Sequence, residues 1–553
     1  MIKVHVTNID GLDRNLELAE DSSARSVADE LQKETPYTIV SCRVNNRNES
    51  LNITLRDGDD LCLLDIRDSS AYMTYQSSLS FLYIKAVHDV LGSSVGVSIC
   101  NSLSKGLFTL IKTNGITDQT AKAIQWHMEE LVKEDLPINS RSMQKEEILD
   151  FLSEHNRQEQ LRLVKSAEDL KEANLYQLEN EEEIFYHNLV PSTSYLKYFE
   201  VRRYKNGMLL RFPNQLAPTV IRTYEEQKIL YDAFSEATRW GRILNVNYAA
   251  DLNEKIVKGE FKDLVLLSEA LHEKKIAEIA EMIHKAGKRI ILIAGPSSSG
   301  KTTFANRLCI QLRVIGLRPL YLGTDDYFKE RDETPLLENG EKDYESLRAI
   351  DTDLFTNNMN DLLQGKKVDL PYYDFIEGKK IYGTRITSID HNQPIVIEGI
   401  HGLNPELTKN IDDEEKFRIY ISPLTQLSID TYNRIPTTDT RLLRRMVRDN
   451  LHRGYDASHT IKSWPLVREG EEKYIFPYSD WADVFFNSNS IYELSILKKY
   501  AQPLLSEIKP DSDAYPQAQR MLEFLNFFVA ANDESAIPNN SIIREFIGGS
   551  ILV

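Results

Sequence analysis

The chain is 553 residues long with 41% hydrophobic and 9% aromatic residues; this excludes a disordered chain, and the length calls for about three or four packed domains. A formal net charge of −18 excludes a broad nucleic-acid coat, because phosphate backbones are gripped by clustered Lys and Arg. The four cysteines, Cys42, Cys62, Cys100 and Cys309, form no C-x-x-C pair, which excludes a zinc ribbon and a disulfide framework and fits reduced thiols in the cytoplasm.

The opening "MIKVHVTNIDG" has no apolar h-region, so no secretory signal is expected. No apolar run approaches the roughly 20 residues that span a bilayer, and a soluble cytoplasmic protein is expected. Ile2, Val4 and Val6 alternate with Lys3 and His5 as in a half-buried strand, and "NIDG" follows as a turn. "SARSVADELQ" supplies a Ser-capped helix, and "TIVSCRVNN" and "LCLLDI" supply further strands. In order and pattern, residues 1–66 resemble the TGS domain, a β-grasp module at the front of threonyl-tRNA synthetases and some GTPases.

Residues 70–235 are helix-rich, then mixed. "FYHNLVPSTSYLKYFEV" at 185–201 resembles the second additional domain of threonyl- and alanyl-type synthetases, which hydrolyses mischarged tRNA. That family carries H-x-x-x-H on a helix, and a Cys and a further His before the "VPST"-like run. Here Gln76 and Ser80 stand at the histidine positions of the helix, and Phe185 and Leu189 at the later Cys and His positions. None of the four replaces an imidazole or thiolate ligand, so a shell without editing chemistry is expected. Residues 236–287 have apolar residues at three- and four-residue spacing and read as a helical connector.

After the apolar run "RIILIA" comes "GPSSSGKTT" (295–303), a match to G-x-x-x-x-G-K-[ST] through Gly295, Gly300, Lys301 and Thr302. Glycines let the loop turn its N–H groups onto phosphates, and the following helix offers its positive end. Ser297, Ser298, Ser299 and Thr303 complete the ATP-binding loop; Lys301 is expected on the β- and γ-phosphates and the Thr302 hydroxyl on Mg2+. "PLYLGTDDYFK" (319–329) is a strand ending in paired acids. Asp325 or Asp326 stands where a kinase needs a carboxylate to accept a hydroxyl proton. "PIVIEGIHGL" (394–403) is a buried strand delivering Glu398 to its C-terminal edge, as a carboxylate that orients Mg2+ would be. In "TDTRLLRRMVRDNLHRG" (438–454), Arg441, Arg444, Arg445 and Arg448 form one helix stripe, with Arg453 just beyond. The stripe either closes over a triphosphate or forms salt bridges with Asp439 and Asp449.

Together these elements resemble the uridine kinase and phosphoribulokinase family over about 285–505. The resemblance makes Asp325 the catalytic base, with Lys301, Arg448 and Arg453 on the phosphates. "YESLRAID" gives Glu345 the ribose hydroxyls, "LPYYDF" gives Tyr373 a nucleoside contact, and the lid-like helix points Arg445 toward substrate. "SDWADVFF" resembles the family's closing strand. Departures fall on the acceptor side: Glu345 replaces an Asp, Gly378 a base-contacting His and Tyr455 an Arg, while Phe328 and Ser463 replace a Tyr and a Gln.

The expected architecture is therefore α/β. A P-loop NTPase parallel-sheet kinase domain (288–510) follows a β-grasp TGS-like domain (1–66), an α+β synthetase-editing-like domain (70–235) and the helical connector (236–287). A C-terminal helix and tail (511–553) close the chain. The expected function is an ATP- and Mg2+-dependent nucleoside kinase with a 5′-hydroxyl acceptor, uridine being the default by resemblance. The alternatives are a P-loop kinase of another small hydroxyl substrate, or an NTP-dependent RNA- or ribosome-associated regulator reading RNA through the N-terminal modules, against which the charge weighs. A homo-oligomer is left open, and no membrane partner is expected.

Overall fold

The alternation of the first strand is the first layer of the fold: in β1 (Ile2–Asn8) Ile2, Val4 and Val6 are buried and Lys3 is exposed. The computed structural model describes residues 1–113, 115–336, 340 and 342–553. β1 pairs antiparallel with β2 (Asp13–Leu18), helix α1 (Ala24–Leu31) follows with Ser23 as its N-cap, and β3 (Ile39–Val44), β4 (Arg47–Glu49) and β5 (Asp60–Asp65) complete a mixed sheet. Its order is β2-β1-β5-β3-β4, with β1 and β5 parallel and α1 covering one face.

The second region is built around α2 (Ser69–Leu91), buried continuously from Thr74 to Val87. Asp68 caps it, accepting the Ser70 N–H at 2.8 Å. β6 (Gly96–Leu103), β7 (Gly106–Lys112) and α3 (Asp118–Lys133) follow, then β8 (Asn139–Gln144), α4 (Lys145–Glu154), α5 (Gln158–Ser166), β9 (Glu172–Leu178), β10 (Glu181–Phe185), β11 (Glu200–Tyr204) and β12 (Gly207–Arg211). They form a four-stranded sheet, β11-β12-β7-β6, and a three-stranded one, β10-β9-β8.

Residues 228–286 form three helices, α6 (Lys228–Leu244), α7 (Ala249–Val257) and α8 (Phe261–Ala286), in place of a continuous connector. α8 buries Leu264, Val265, Ile276 and Ile279 in the same apolar cluster as the sheet that follows. It is therefore a structural layer of the kinase-like region. Gly287 ends α8 in the left-handed conformation, φ 66°, that a Cβ disfavours.

β13 (Ile290–Ala294) is fully buried, as a central parallel strand covered on both faces must be. α9 (Lys301–Val314) and β14 (Leu320–Gly323) follow, then α10 (Thr352–Leu363), the short hairpin strands β15 (Val368–Asp369), β16 (Tyr372–Asp374), β17 (Lys379–Ile381) and β18 (Ile386–Thr387), and β19 (Ile395–Glu398) and β20 (Lys416–Ser422). α11 (Thr437–Arg453), α12 (Ala457–Tyr474), β21 (Val484–Asn487) and α13 (Glu493–Ser506) complete the region. The main sheet has the order β14-β19-β13-β20-β21 and is parallel throughout. β13 runs out to the edge strand β14, while later strands fill both of its sides. The crevice at its C-terminal end is thus the switch point where open α/β sheets bind ligands.

The C-terminal α14 (Tyr515–Leu525) and α15 (Arg544–Ile547) join the same core through Met521, Ile542 and Phe546. α14 and the turn before it also dock on the first domain: Asn46 Nδ2 donates to the Pro510 and Ser512 carbonyls, both at 2.8 Å, and Asn48 Nδ2 to the Pro516 carbonyl of α14 at 3.3 Å. Among the described residues no helix is long and apolar enough to cross a membrane.

Candidate active site

β13 delivers Gly295 so close to the Ile421 carbonyl of β20 that a Cβ would overlap it. The loop then turns through left-handed conformations at Ser298 (φ 60°) and Gly300 (φ 82°). Gly300 is the N-cap of α9 and carries no side-chain cap, so the first turn presents its N–H groups as an anion site. Lys301 folds back onto the loop, Nζ donating to the Gly295 carbonyl at 3.1 Å and the Pro296 carbonyl at 3.3 Å. The Ser298 and Ser299 hydroxyls are buried without a hydrogen-bond partner among the described residues.

Glu398 and Asp325 lie beside this loop on its cleft side. Glu398 ends β19 in register with Ile293 of β13 and Gly323 of β14. Its Oε1 accepts the Thr302 hydroxyl at 3.1 Å and the Tyr321 hydroxyl at 3.2 Å. Burial pushes the Glu398 carboxyl up to about 7; Lys301 pulls against this and Asp325 adds to it. Asp325 sits on the 3-10 turn Thr324–Tyr327 after β14 and opens to cleft solvent. The enclosing walls raise its carboxyl, and Lys301 opposes them. Asp326 is committed elsewhere, to Arg385 at 2.6 Å and the Tyr373 N–H at 3.4 Å. The two acids, equivalent on spacing, are therefore distinguished: Asp325 alone faces the cleft.

Among the described residues no cluster of three His, Cys, Asp or Glu could hold a metal. The donor set fits Mg2+ bound with a nucleotide, because such a site takes one hydroxyl and one or two carboxylates and draws its remaining oxygens from phosphates and water. Thr302 and Glu398, in mutual contact, could supply the hydroxyl and one carboxylate of such a set.

The arginine stripe of α11 divides in two. Arg441 and Arg444 are 1% and 0% exposed and do not reach the cleft, a correction to their place in a stripe closing over a triphosphate. They brace the loop from behind. Arg441 Nε donates to the Ser297 carbonyl at 2.9 Å and its Nη2 pairs with Glu471. Arg444 donates to Glu493 Oε2 at 2.6 Å, the Ser488 carbonyl at 2.8 Å and the Ser298 carbonyl at 3.3 Å. The physical reason is crowding: α11 packs against α12, α13 and α15, leaving only one flank for the cleft. Arg445, Arg448 and Arg453 occupy that flank, all gathered by Asp449 at 3.3, 2.7 and 3.5 Å. Arg445 Nη1 also donates to the Ser297 hydroxyl at 2.8 Å.

On the acceptor side, Glu345 is half-buried beside Gly470. Burial and then Glu471 push its carboxyl up to about 6, and Arg445 opposes them. Tyr373 is 2% exposed and packs edge-on against Phe328 and Phe375. Its hydroxyl is buried without a partner among the described residues and is what it has to offer a ligand. Gly378 has φ +70°, and a Cβ there would meet the Arg331 side chain at 2.7 Å, so a larger residue would be strained. Tyr455 stacks on His459 at 4.3 Å, and the Ser463 hydroxyl donates to its own helix at the Thr460 carbonyl, 3.1 Å away.

Sequence reading missed Glu471, Tyr321 and Glu545. Asp449, expected as a salt-bridge partner of the stripe, pairs with its outer arginines, whereas Asp439 pairs with Arg520. Glu471 accepts the Ser297 N–H at 3.0 Å from 174 residues away, and no local pattern announces it.

A second concavity of about 700 Å³ lies between α2 and the segments around Arg434 and α14, lined in part by Gln76, Ser80, Phe185, His187, Arg434 and Arg520. The four positions expected to be without chemistry are all buried. Ser80 Oγ donates to the Gln76 carbonyl at 2.9 Å, and Phe185 packs on Phe81 with centroids 5.4 Å apart.

Residues 290–495 match the phosphoribulokinase/uridine kinase family. The uridine kinase of Staphylococcus epidermidis is 31% identical over 222 residues, which is 39% of this chain and 97% of that protein. The uridine kinase of Staphylococcus haemolyticus is 30% identical over 226 residues, 40% of this chain and 99% of that protein. The relatives are thus spanned almost whole by the region that carries the loop, Asp325, Glu398 and α11. Through that region the chain belongs to the phosphoribulokinase/uridine kinase family.

Proposed function

We propose that the protein is an ATP- and Mg2+-dependent nucleoside kinase that transfers the γ-phosphate to the 5′-hydroxyl of a uridine- or cytidine-like nucleoside. The observation that carries this reading is Asp325: a carboxylate open to the cleft and within electrostatic reach of the loop lysine Lys301 and of Arg453. A base in that position accepts the hydroxyl proton as the acceptor oxygen attacks. The new bond joins that oxygen to the γ-phosphorus, the bond to the β–γ bridging oxygen breaks, and ADP leaves with the electron pair. Gly295, Gly300, Ser297, Ser298, Ser299 and Thr303 form the cradle for the triphosphate. Lys301 leaves the loop carbonyls for the β- and γ-phosphates, and Arg448 and Arg453 meet the charge that spreads over the moving phosphoryl. Thr302 and Glu398 would hold Mg2+, which when bound would supply positive charge against that of the phosphates.

Glu345 and Arg445 are read as acceptor-side groups, Glu345 on the ribose hydroxyls, with the Tyr373 hydroxyl at the pocket wall. The N-terminal regions are read as a TGS-like β-grasp domain over 1–66, supported by the strand order β2-β1-β5-β3-β4 and the covering helix, and a synthetase-editing-like shell over 70–235. Residues 288–510 are read as the kinase domain, and the protein as cytoplasmic. A phosphorylation screen of ribo- and deoxyribonucleosides with ATP tests the proposal. Transfer to at least one nucleoside is expected; NTP hydrolysis stimulated by RNA with no nucleoside acceptor would replace it by the regulator.

A further inference from the structure

One of the N–H groups at the start of α9, which the triphosphate reading assigns to phosphate, is already occupied. Glu545 of the C-terminal α15 accepts the Thr303 N–H at 3.3 Å and the Thr303 hydroxyl at 2.7 Å. The segment that brings it there is packed in place. Ile542, Ile543 and Phe546 are all 0% exposed. Ile542 presses on the loop, its Cγ2 2.5 Å from where a Cβ on Gly300 would sit. The Phe546 ring lies 4.8 Å from the Arg444 guanidinium, and Asn306 of α9 donates to the Leu552 carbonyl at 3.4 Å. The tail thus touches the loop glycine, an arginine bracing the loop and the first turn of the loop helix. Glu545 also adds to the negative field that raises the Glu398 carboxyl.

Two anions cannot share the Thr303 donors. A carboxylate holding an N–H and an O–H makes charge-assisted bonds, and an incoming phosphate must replace both while repelled by the same charge. We propose that Glu545 is a nucleotide-site residue. Its carboxylate holds the Thr303 donors in the free protein and competes with the triphosphate for them, so the C-terminal tail sets the affinity for ATP and loosens as the loop fills. This rests on the reading of 295–303 as a triphosphate loop.

The test is calorimetric titration of the full chain with Mg-ATP, and separately with adenosine, comparing wild type with Glu545→Gln. Glutamine keeps an oxygen to accept both bonds and removes the charge. ATP is expected to bind the variant about tenfold more tightly, the equivalent of one weakened charge-assisted contact, with adenosine affinity unmoved. The gain shrinks at high salt. Hydrogen exchange of the 541–552 amides in the wild type is expected to quicken on adding ATP. A variant that binds ATP no more tightly, or tail amides equally protected with and without ATP, overturns the inference, since a purely structural helix cap predicts both. If Glu545→Gln does not fold, Ile542→Ala keeps the carboxylate and loosens its anchor; tighter ATP binding is again expected, and unchanged binding overturns. Wild type that binds no ATP at all removes the triphosphate reading itself, whereas wild type that binds ATP as tightly as the variants removes only the role of Glu545.

Discussion

The cleft at the end of β13 and the concavity beside α2 are both lined with polar groups, yet they treat those groups in opposite ways. In the cleft, Arg441 and Arg444 are bonded into the loop from behind, and this leaves Asp325 open and Arg445, Arg448 and Arg453 gathered on one flank. In the concavity, Ser80 turns to its own helix backbone and Phe185 joins an aromatic cluster. Arg434 has one long contact, 3.4 Å to Gln76, and no carboxylate partner among the described residues. The lesson is that polar groups lining a pocket do not by themselves make an organised site. Preorganised charge, with its partners held on the far side, is what distinguishes a site from a space.

The comparison breaks most sharply at Asp325. Asp325→Asn is expected to lower kcat by about 10²- to 10⁴-fold, with ATP affinity retained; steady-state kinetics with calorimetry decide it, and a loss confined to KM would remove the base assignment. Next in size is the bracing pair. Arg444→Met leaves Glu493 buried and unpaired, so a loss of about 3–5 kcal/mol in urea unfolding is expected. Arg434→Met should cost less than about 1 kcal/mol, since only a weak hydrogen bond goes. Equal costs would mean the concavity is as highly organised as the cleft.

A smaller effect sits at Glu398, whose carboxyl rises from 4.5 to about 7 in the folded protein. Because the folded value is the higher, the protonated form stabilises the free protein below pH 4.5, and this contribution fades as pH climbs through 7. Glu398→Gln, which cannot ionise, should gain Tm relative to wild type between those limits and hold a constant advantage above them, measured without nucleotide or Mg2+. A Tm difference flat from pH 4.5 to 8 would show that Glu398 is not held up by burial. Smallest of all, Gln76→Ala should leave nucleoside phosphorylation unchanged, and the wild-type protein should carry no stoichiometric zinc by elemental analysis. Tightly bound zinc would contradict the reading of the α2 shell.

The parts of this account legible in the sequence are those whose chemistry is local. The loop from Gly295 to Thr303 needs only a strand before it and a helix after it, and Glu398 needs only an apolar strand to carry it. The strand periodicity of residues 2–6 and the Ser23 cap are of the same kind. Helical periodicity over 236–287 announced helices but not their place, because an apolar stripe does not say which surface covers it; α7 and α8 turn out to be packed into the core of the following sheet. The arginines of α11 share one spacing and have two fates, decided by α12, α13 and α15 closing on one flank. Glu471 and Glu545 reach the loop from 174 and 242 residues away. Contacts of that span leave no periodic trace.

The central claim is that the cleft moves a phosphoryl group onto a sugar 5′-hydroxyl with Asp325 as the base. It is tested most directly by incubating wild type and Asp325→Asn with Mg-ATP and either uridine and cytidine or their 5′-deoxy analogues, and identifying the products by mass. The account predicts a nucleoside 5′-monophosphate and equimolar ADP from wild type with the 5′-hydroxyl substrates, none with the 5′-deoxy analogues, and at most a trace from the variant. Phosphorylation of the 5′-deoxy analogues, or equal product from Asp325→Asn, would contradict it.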